Sequence, residues 1–345
     1  MKLGIVGVGM IVGDLLSFIQ EIPTITLQAI SSRPKDQEKL LSLQKKYGIS
    51  QIYSDYNKML ENDDVDTIYI GLPNHLHYSY AKEALMSGKH VICEKPFTSN
   101  LQEFIELKEI AQQKELVLVE AITTQYLKNY LSMKEYLPKL GEIKIVECNY
   151  SQYSSRYAAF KAGEILPAFN PEMSGGALMD INLYNIHLVV GFFGSPKKVE
   201  YWANMERGID TSGMLLLDYG DFKCVCIGSK DSTAPNAVNI QGNKGYIHMA
   251  SSANIIECFD YVLNKETPIR VDLKEHPHRM YDEFVEFDRI IKELDLEKVA
   301  VMLEHSEKVM NVIEMAKQSA NLVFGPDKLN RRNQRSSTGD TCDAG

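Results

Sequence analysis

Leu3-Gly4-Ile5-Val6-Gly7-Val8-Gly9-Met10-Ile11-Val12 stands at the start of the chain, and its reading decides the fold. Leu3–Gly7 has the composition of a short buried strand, and Met10–Gln20 has the apolar spacing of a helix. Gly7 falls at the turn between them, where a Cβ is unwelcome, and Gly9 lets the backbone approach a ligand closely. The helix start, with Met10 and Ile11 in its first turn, presents unpaired N–H groups and the positive end of a dipole. Together these features suit a dinucleotide pyrophosphate. Val12 replaces the third small residue of the fingerprint. Two lesser readings therefore stay open: a plain tight strand–helix turn, or a site for another nucleotide-derived ligand such as S-adenosylmethionine.

The same alternation continues outward. Leu27–Ser31, Gln51–Tyr53, Thr67–Leu72, His90–Cys93 and Leu116–Val119 read as further short strands. Between them lie helical patterns at Lys35–Tyr47, Asn74–Ser87 and Leu101–Lys114, with a helical turn at Asp55–Glu61. Strands separated by helices make βαβ units and a doubly wound parallel sheet. After residue 120 the strands lengthen: Glu142–Tyr150, Lys198–Met205, Met214–Tyr219, Lys223–Gly228, Val238–Ile240, Tyr246–Met249 and Ile255–Phe259. Hairpin signals at 218–221 and 241–245 predict a largely antiparallel sheet. Helices are expected at Leu127–Pro138, Gly176–Phe193, Tyr281–Leu294 and Leu303–Val323. The expected fold is α/β: a Rossmann domain at 1–120, an α+β domain with an open-faced sheet at 121–325, and a disordered or appended polar tail at 326–345.

Composition narrows the function. The 345 residues carry a net charge of −9, with 44% hydrophobic and 24% charged residues, which argues for packed cores and against a nucleic-acid partner. Six scattered cysteines, without a C-x-x-C pair or a zinc spacing, read as reduced thiols in a cytoplasmic protein and imply no metal site. The charge-free runs Leu3–Gly13 and Ile181–Pro196 are shorter than the roughly 20 residues of a membrane-spanning helix, so no membrane role is expected.

The second strand ends Ile30-Ser31-Ser32-Arg33-Pro34, with no acid before Asp36. A carboxylate there would hold the ribose 2′-hydroxyl of NAD, whereas arginine pairs with a 2′-phosphate. Arg33, with Ser32 as a further donor, therefore favours NADP(H), with NAD(H) the alternative.

Between Pro73 and Pro96 the chain carries Pro73, Asn74, His77, Ala81, Ala84, Leu85, Gly88, Lys89, His90, Val91, Glu94, Lys95 and Pro96 in one 24-residue window. This closely resembles the glucose–fructose oxidoreductase/inositol dehydrogenase/MocA (Gfo/Idh/MocA) pattern, and with the domain pattern the resemblance extends over about 1–325. Lys95 lies at the carboxyl end of a parallel strand, where an ammonium can donate to a carbonyl or developing alkoxide. The resemblance implies that Lys95 is catalytic, that the peptide before Pro96 is cis, and that Leu72, Pro73, Asn74 and Glu94 face the cofactor. Asn74 is also a candidate helix cap, and His77 is divided between helix packing and site lining.

A second informative run is Gly175-Gly176-Ala177-Leu178-Met179-Asp180-Ile181-Asn182-Leu183-Tyr184-Asn185-Ile186-His187. On a regular helix Asp180, Tyr184 and His187 share a face, and Gly176 and Gly191 on that side suggest a close approach. A buried hydrogen-bond network between helix and sheet would produce the same pattern. The run is similar to a family segment whose acid is Asp180 and whose acid/base position holds tyrosine in dihydrodiol dehydrogenase-like members; here it is Tyr184. Asn182 stands where the family has glycine, which bears on local backbone geometry. The resemblance implies that Tyr184 moves the proton, its phenolate favoured by Lys95, and that Asp180 orients substrate and Lys95. His187, Gln125, Tyr153 and Arg156, with Tyr157 beside them, are candidate substrate contacts.

The expected activity is NAD(P)-dependent hydride transfer to or from a secondary alcohol or carbonyl of a sugar, polyol or diol. The family also implies a homodimer or higher homo-oligomer formed through the outer face of the sheet. A non-catalytic NADP-binding sensor is the rival reading, and a methyltransferase a third.

Overall fold

In the computed structural model, which describes residues 1–328, six short strands near the amino terminus lie side by side. They are β1 (Lys2–Val6), β2 (Thr26–Ser31), β3 (Gln51–Tyr53), β4 (Thr67–Ile70), β5 (His90–Glu94) and β6 (Leu118–Ala121). All pair in parallel, in the order β3-β2-β1-β4-β5-β6. Helices cover both faces, so inner strands such as β4 are buried throughout and read as continuous apolar runs. The order reverses between β1 and β4, and that is where a crevice opens at the carboxyl ends of the strands.

The second sheet contains β7 (Ile143–Ser151), β8 (Lys198–Glu206), β9 (Ile209–Asp218), β10 (Lys223–Ser229), β11 (Ala237–Gly242), β12 (Gly245–Met249), β13 (Phe259–Leu263) and β14 (Ile269–Val271). Its order is β14-β13-β12-β11-β7-β10-β9-β8, antiparallel except where β7 and β10 run in parallel. One face is buried and carries Val146, Cys148, Cys224, Cys226, Leu215 and Leu217. The other exposes Ile145, Trp202, Met214 and Tyr246. The fold is thus the α/β architecture anticipated above.

Several expectations change. The strand expected at Ile255–Phe259 starts at Phe259 instead; Ile256 has φ +44°, which no strand residue adopts. The last helix runs Leu296–Ser319, opened by Asp295, whose carboxylate caps the Lys298 amide. The stretch Pro171–Phe193 has the length and composition of a membrane span. However, 78% of its most apolar window is buried in the protein, so its apolarity is that of a core helix. The region expected to be one helix at Gly176–Phe193 is a π-helical turn, Leu178–Asn182, followed by the α-helix Leu183–Phe193. Asn182 takes ordinary helical angles, and its side chain donates to the Cys226 carbonyl while Asn185 donates to that of Ile227. These two amides pin the helix onto β10. Of the tail expected at 326–345, residues 326–328 are instead ordered in a helical turn, because Asp327 accepts from the Phe324 amide at 2.9 Å and pairs with the buried Lys317 at 3.0 Å; the rest, from 329 onward, lies outside the described residues.

Candidate active site

The glycine turn has the geometry its sequence asks for. Gly7 sits at φ +110°, and a Cβ there would lie 2.5 Å from the Gly71 carbonyl oxygen. Gly9 is the N-cap of the helix Met10–Phe18, which has no capping side chain and no acid in its first turn. Its leading N–H groups are therefore free for an anion. Met10 is exposed and Ile11 packs against Gly71, so this turn contributes backbone rather than side chains. A cavity of about 460 Å³ continues from it, lined by Gly7, Gly9, Ser32, Arg33, Leu72 and Pro73, as expected, and also by Asp36, Lys39 and Tyr56.

At the adenosine end Asp36 accepts from the Ser32 hydroxyl at 2.9 Å and from Arg33 Nε at 3.1 Å. Burial works against its charge, but Ser32 and Arg33 outweigh that and hold the Asp36 carboxyl below its ordinary pKa. With Lys39 beside them, the three charged side chains sum to one positive charge. The open cleft, the uncapped helix start and this cation excess fit a phosphorylated dinucleotide.

At the mouth of the crevice, Lys95 follows β5, and the Lys95–Pro96 peptide is cis. Its ammonium donates to the Asp180 backbone carbonyl at 2.9 Å and lies 3.3 Å from the Asp180 carboxylate. It also stands 4.7 Å from the centre of the Tyr184 ring. A second ammonium, Lys230 at the end of β10, reaches the other Asp180 oxygen at 2.6 Å and the Ala168 carbonyl at 2.7 Å. Burial opposes the Asp180 charge, yet Lys230 and Lys95 prevail and hold it well below the usual carboxylate range. Burial likewise opposes the Lys95 charge, but Tyr184, Asp180 and Glu94 raise its pKa, so it is an ammonium donor and not a base.

The balance at Tyr184 runs against the expectation of a favoured phenolate. Burial raises its pKa, and Lys95 and Arg279 recover only part of that. The resting group is a phenol. Behind it Glu94 is buried, accepts from the Tyr69 hydroxyl at 2.7 Å, and has its pKa raised by burial. Arg279 bonds Thr123 and also Asp14 on the helix Met10–Phe18, tying this corner to the glycine turn. Arg279, Lys230 and Lys39 carry no sequence signal: each is a lone cation in an unremarkable context, brought in by tertiary structure alone.

Other candidates fall elsewhere. His77 is fully buried, with one ring nitrogen 2.8 Å from the Pro96 carbonyl and the other 2.8 Å from that of Leu72. It clamps the loop after Lys95 to the exit of β4, which is packing rather than site lining. Asn74 does not cap its helix; its amide donates to the Ser174 carbonyl at 2.8 Å. His187 lies one helical turn beyond Tyr184, shut away beside Glu120 and His305, and Gln125 bonds the His187 carbonyl and the Tyr130 hydroxyl. Neither reaches the Lys95 cluster. Gly176 and Gly191 meet the protein's own groups, since Cβ atoms there would lie 2.0 Å from Asp210 Oδ1 and 1.9 Å from the Tyr130 hydroxyl. Tyr153 is half exposed, Tyr157 begins a short helix and bonds Glu206, and Arg156 extends to Met10 Sδ at 3.7 Å, over the glycine turn.

Fold and site together define a dinucleotide-binding oxidoreductase with a lysine–carboxylate–phenol cluster at the crevice. Residues 1–121 match the family GFO_IDH_MocA, described as "Oxidoreductase family, NAD-binding Rossmann fold", and residues 130–248 match its GFO/IDH/MocA C-terminal domain. Scyllo-inositol 2-dehydrogenase (NADP(+)) IolU of Bacillus subtilis is 34% identical over 330 residues, covering 95% of this chain and 99% of IolU. The trans-1,2-dihydrobenzene-1,2-diol dehydrogenase of Xenopus tropicalis is 27% identical over 256 residues, covering 72% of this chain and 75% of the relative. The chain belongs to the Gfo/Idh/MocA oxidoreductase family. A crystal structure of KijD10, a 3-ketoreductase from Actinomadura kijaniata with NADP and TDP-benzene, shares the fold. Its TM-score is 0.80 at 21% identity, covering 92% of this chain and 97% of that one.

Proposed function

We propose that the chain is an NADP(H)-dependent oxidoreductase interconverting a secondary alcohol and its carbonyl in a polyol, sugar or diol. The observation that carries this reading is the convergence of Lys95, Asp180 and Tyr184 at the carboxyl ends of the parallel strands. Residues 1–120 hold the dinucleotide: the glycine turn takes the pyrophosphate, Arg33, Ser32 and Lys39 the adenosine phosphate, and Leu72 and Pro73 the path towards the nicotinamide. The bound dinucleotide supplies or accepts a hydride. The Lys95 ammonium donates to the substrate oxygen and stabilises negative charge as it develops there. The Tyr184 phenol gives its proton to that oxygen in reduction and takes it back in oxidation. Asp180, held ionised by two lysines, accepts a hydrogen bond from an adjacent hydroxyl, which favours substrates with vicinal hydroxyls. Residues 121–325 form the substrate wall.

The unpaired cysteines among the described residues support a reducing, cytoplasmic setting. The exposed Trp202, Met214 and Ile145 on the open sheet face support a homodimer through that face. The decisive assay follows NADP⁺ reduction over a panel of inositols, sugars and diols, beside Lys95→Met. Turnover by the natural protein, lost in the variant with NADP⁺ affinity kept, is expected. Tight NADPH binding without turnover on any substrate would favour a sensor instead. A Trp202→Glu variant that stays dimeric by light scattering would rule out the sheet face as the interface.

A further inference from the structure

A second cavity, of about 350 Å³, lies behind the Tyr184 helix, between Lys128–Tyr136, Leu183–Phe193 and Leu296–Ser319. Neither Lys95, Asp180 nor Tyr184 lines it. Lys298, Val301, Met302 and His305 face it from one helix at i, i+3, i+4 and i+7, the positions of a single helical stripe. A stripe of this kind ordinarily packs on a neighbour, yet Val301 is 62% exposed, and Leu131 on the facing helix is 48% exposed.

The charges in the cavity do not cancel. Lys308 is paired with Glu304 at 2.7 Å. Glu120 is satisfied by the Ser306 hydroxyl at 2.7 Å and the Phe97 amide at 3.1 Å. Neither Lys134 nor Lys298 has a carboxylate within 4.0 Å among the described residues, although Asp295 lies near enough to Lys298 for its carboxyl to be held down by that charge; Lys134 rests over the Tyr130 ring at 4.6 Å. His305 spends one nitrogen on His187 at 3.0 Å, and its Nδ1 bonds nothing among the described residues. Burial lowers the pKa of both Lys134 and His305, with Lys298 adding to it at Lys134 and Lys134 and Lys308 adding to it at His305, so His305 is a neutral imidazole. Lys134 and Lys298 are both exposed and share the cavity mouth with the exposed Leu131 and Val301, a pairing of unneutralised cations and apolar surface that suits an anion with an apolar body.

We propose that this cavity binds a small amphipathic carboxylate. Its head lies among Lys134, Lys298 and His305, and its apolar body lies against Leu131 and Val301. The site is separate from the redox cleft and does not depend on the reading of that cleft.

Calorimetry on the full chain saturated with NADP⁺, so that the cofactor cleft is filled, tests it with hexanoate as ligand and hexan-1-ol as the uncharged control. Hexanoate should bind saturably at one site per chain, and hexan-1-ol at least about tenfold more weakly. The double variant Lys134→Met/Lys298→Met should weaken hexanoate about tenfold or more while NADP⁺ affinity stays unchanged. Val301→Asp, which sets a carboxylate at the mouth, should weaken it similarly. No saturable hexanoate binding by the natural protein, equal binding of the alcohol, or undiminished binding in either variant overturns the proposal.

Discussion

Lys230→Met isolates the device that keeps Asp180 ionised. Methionine preserves the stem that runs past Phe169, over whose ring the ammonium sits at 4.5 Å, and removes only the charge and its two hydrogen bonds. Breaking a fully buried ion pair costs about 3–5 kcal/mol, and an exposed one less than about 1 kcal/mol. The Lys230 side chain is 3% exposed but that of Asp180 is 37% exposed, and Asp180 keeps Lys95. Solvent screening and the remaining partner place the cost between those limits, at about 2 kcal/mol. The pH dependence has a definite sign. Asp180 has a depressed folded-state pKa, so its contribution is fully present above its unfolded value of about 3.9 and is lost as pH falls through the folded one. Urea unfolding of both proteins at neutral pH should show the full gap, and the gap should shrink as the solution is acidified below about pH 4. Turnover should fall as well, because a released Asp180 competes more strongly for the Lys95 ammonium. Equal stability at neutral pH, or a gap that widens on acidification, would refute this account of the Asp180 clamp.

Arg33 is 68% exposed and held by Asp36, so Arg33→Ala should weaken NADPH about tenfold relative to NADH, measured by fluorescence titration. Asp36→Asn, which frees Arg33 and removes a negative charge from the cavity, should instead tighten NADPH by a few-fold and leave NADH nearly unchanged. Gly7→Ala combines a positive φ with a 2.5 Å approach to Gly71, so calorimetry should show NADP⁺ binding weakened by about 2–3 kcal/mol. With the Tyr184 pKa raised by burial beyond what Lys95 and Arg279 recover, carbonyl reduction should be nearly flat in initial rate from about pH 6 to 9. Alcohol oxidation should climb with pH over the same range.

The parallel sheet was legible because its strands are buried on both faces, so Thr67–Ile70 and its neighbours appear as short apolar runs separated by helices. Lys95, Asp180 and Tyr184 stood out because they sit in dense motifs at a strand end and on one helix. Regular helical geometry, however, overextended that cluster to His187, which lies a turn further along and faces Glu120 and His305. The π-helical turn at Leu178–Asn182 left no periodic mark. Lys230 and Arg279 were invisible for a different reason: nothing local distinguishes a cation that meets an acid 50 residues upstream from one in solvent. The glycines of the helix signalled a close approach correctly, but the approaching groups are Asp210 and Tyr130 rather than a ligand.

Single-turnover mixing of the NADPH-loaded enzyme with a carbonyl substrate reads the central claim, that the Tyr184 phenol and Lys95 ammonium serve one substrate oxygen. Tyr184→Phe removes only the proton donor, so hydride transfer should slow by about 10²- to 10⁴-fold with NADPH affinity unchanged. Hydride transfer at the natural rate in that variant would contradict the claim.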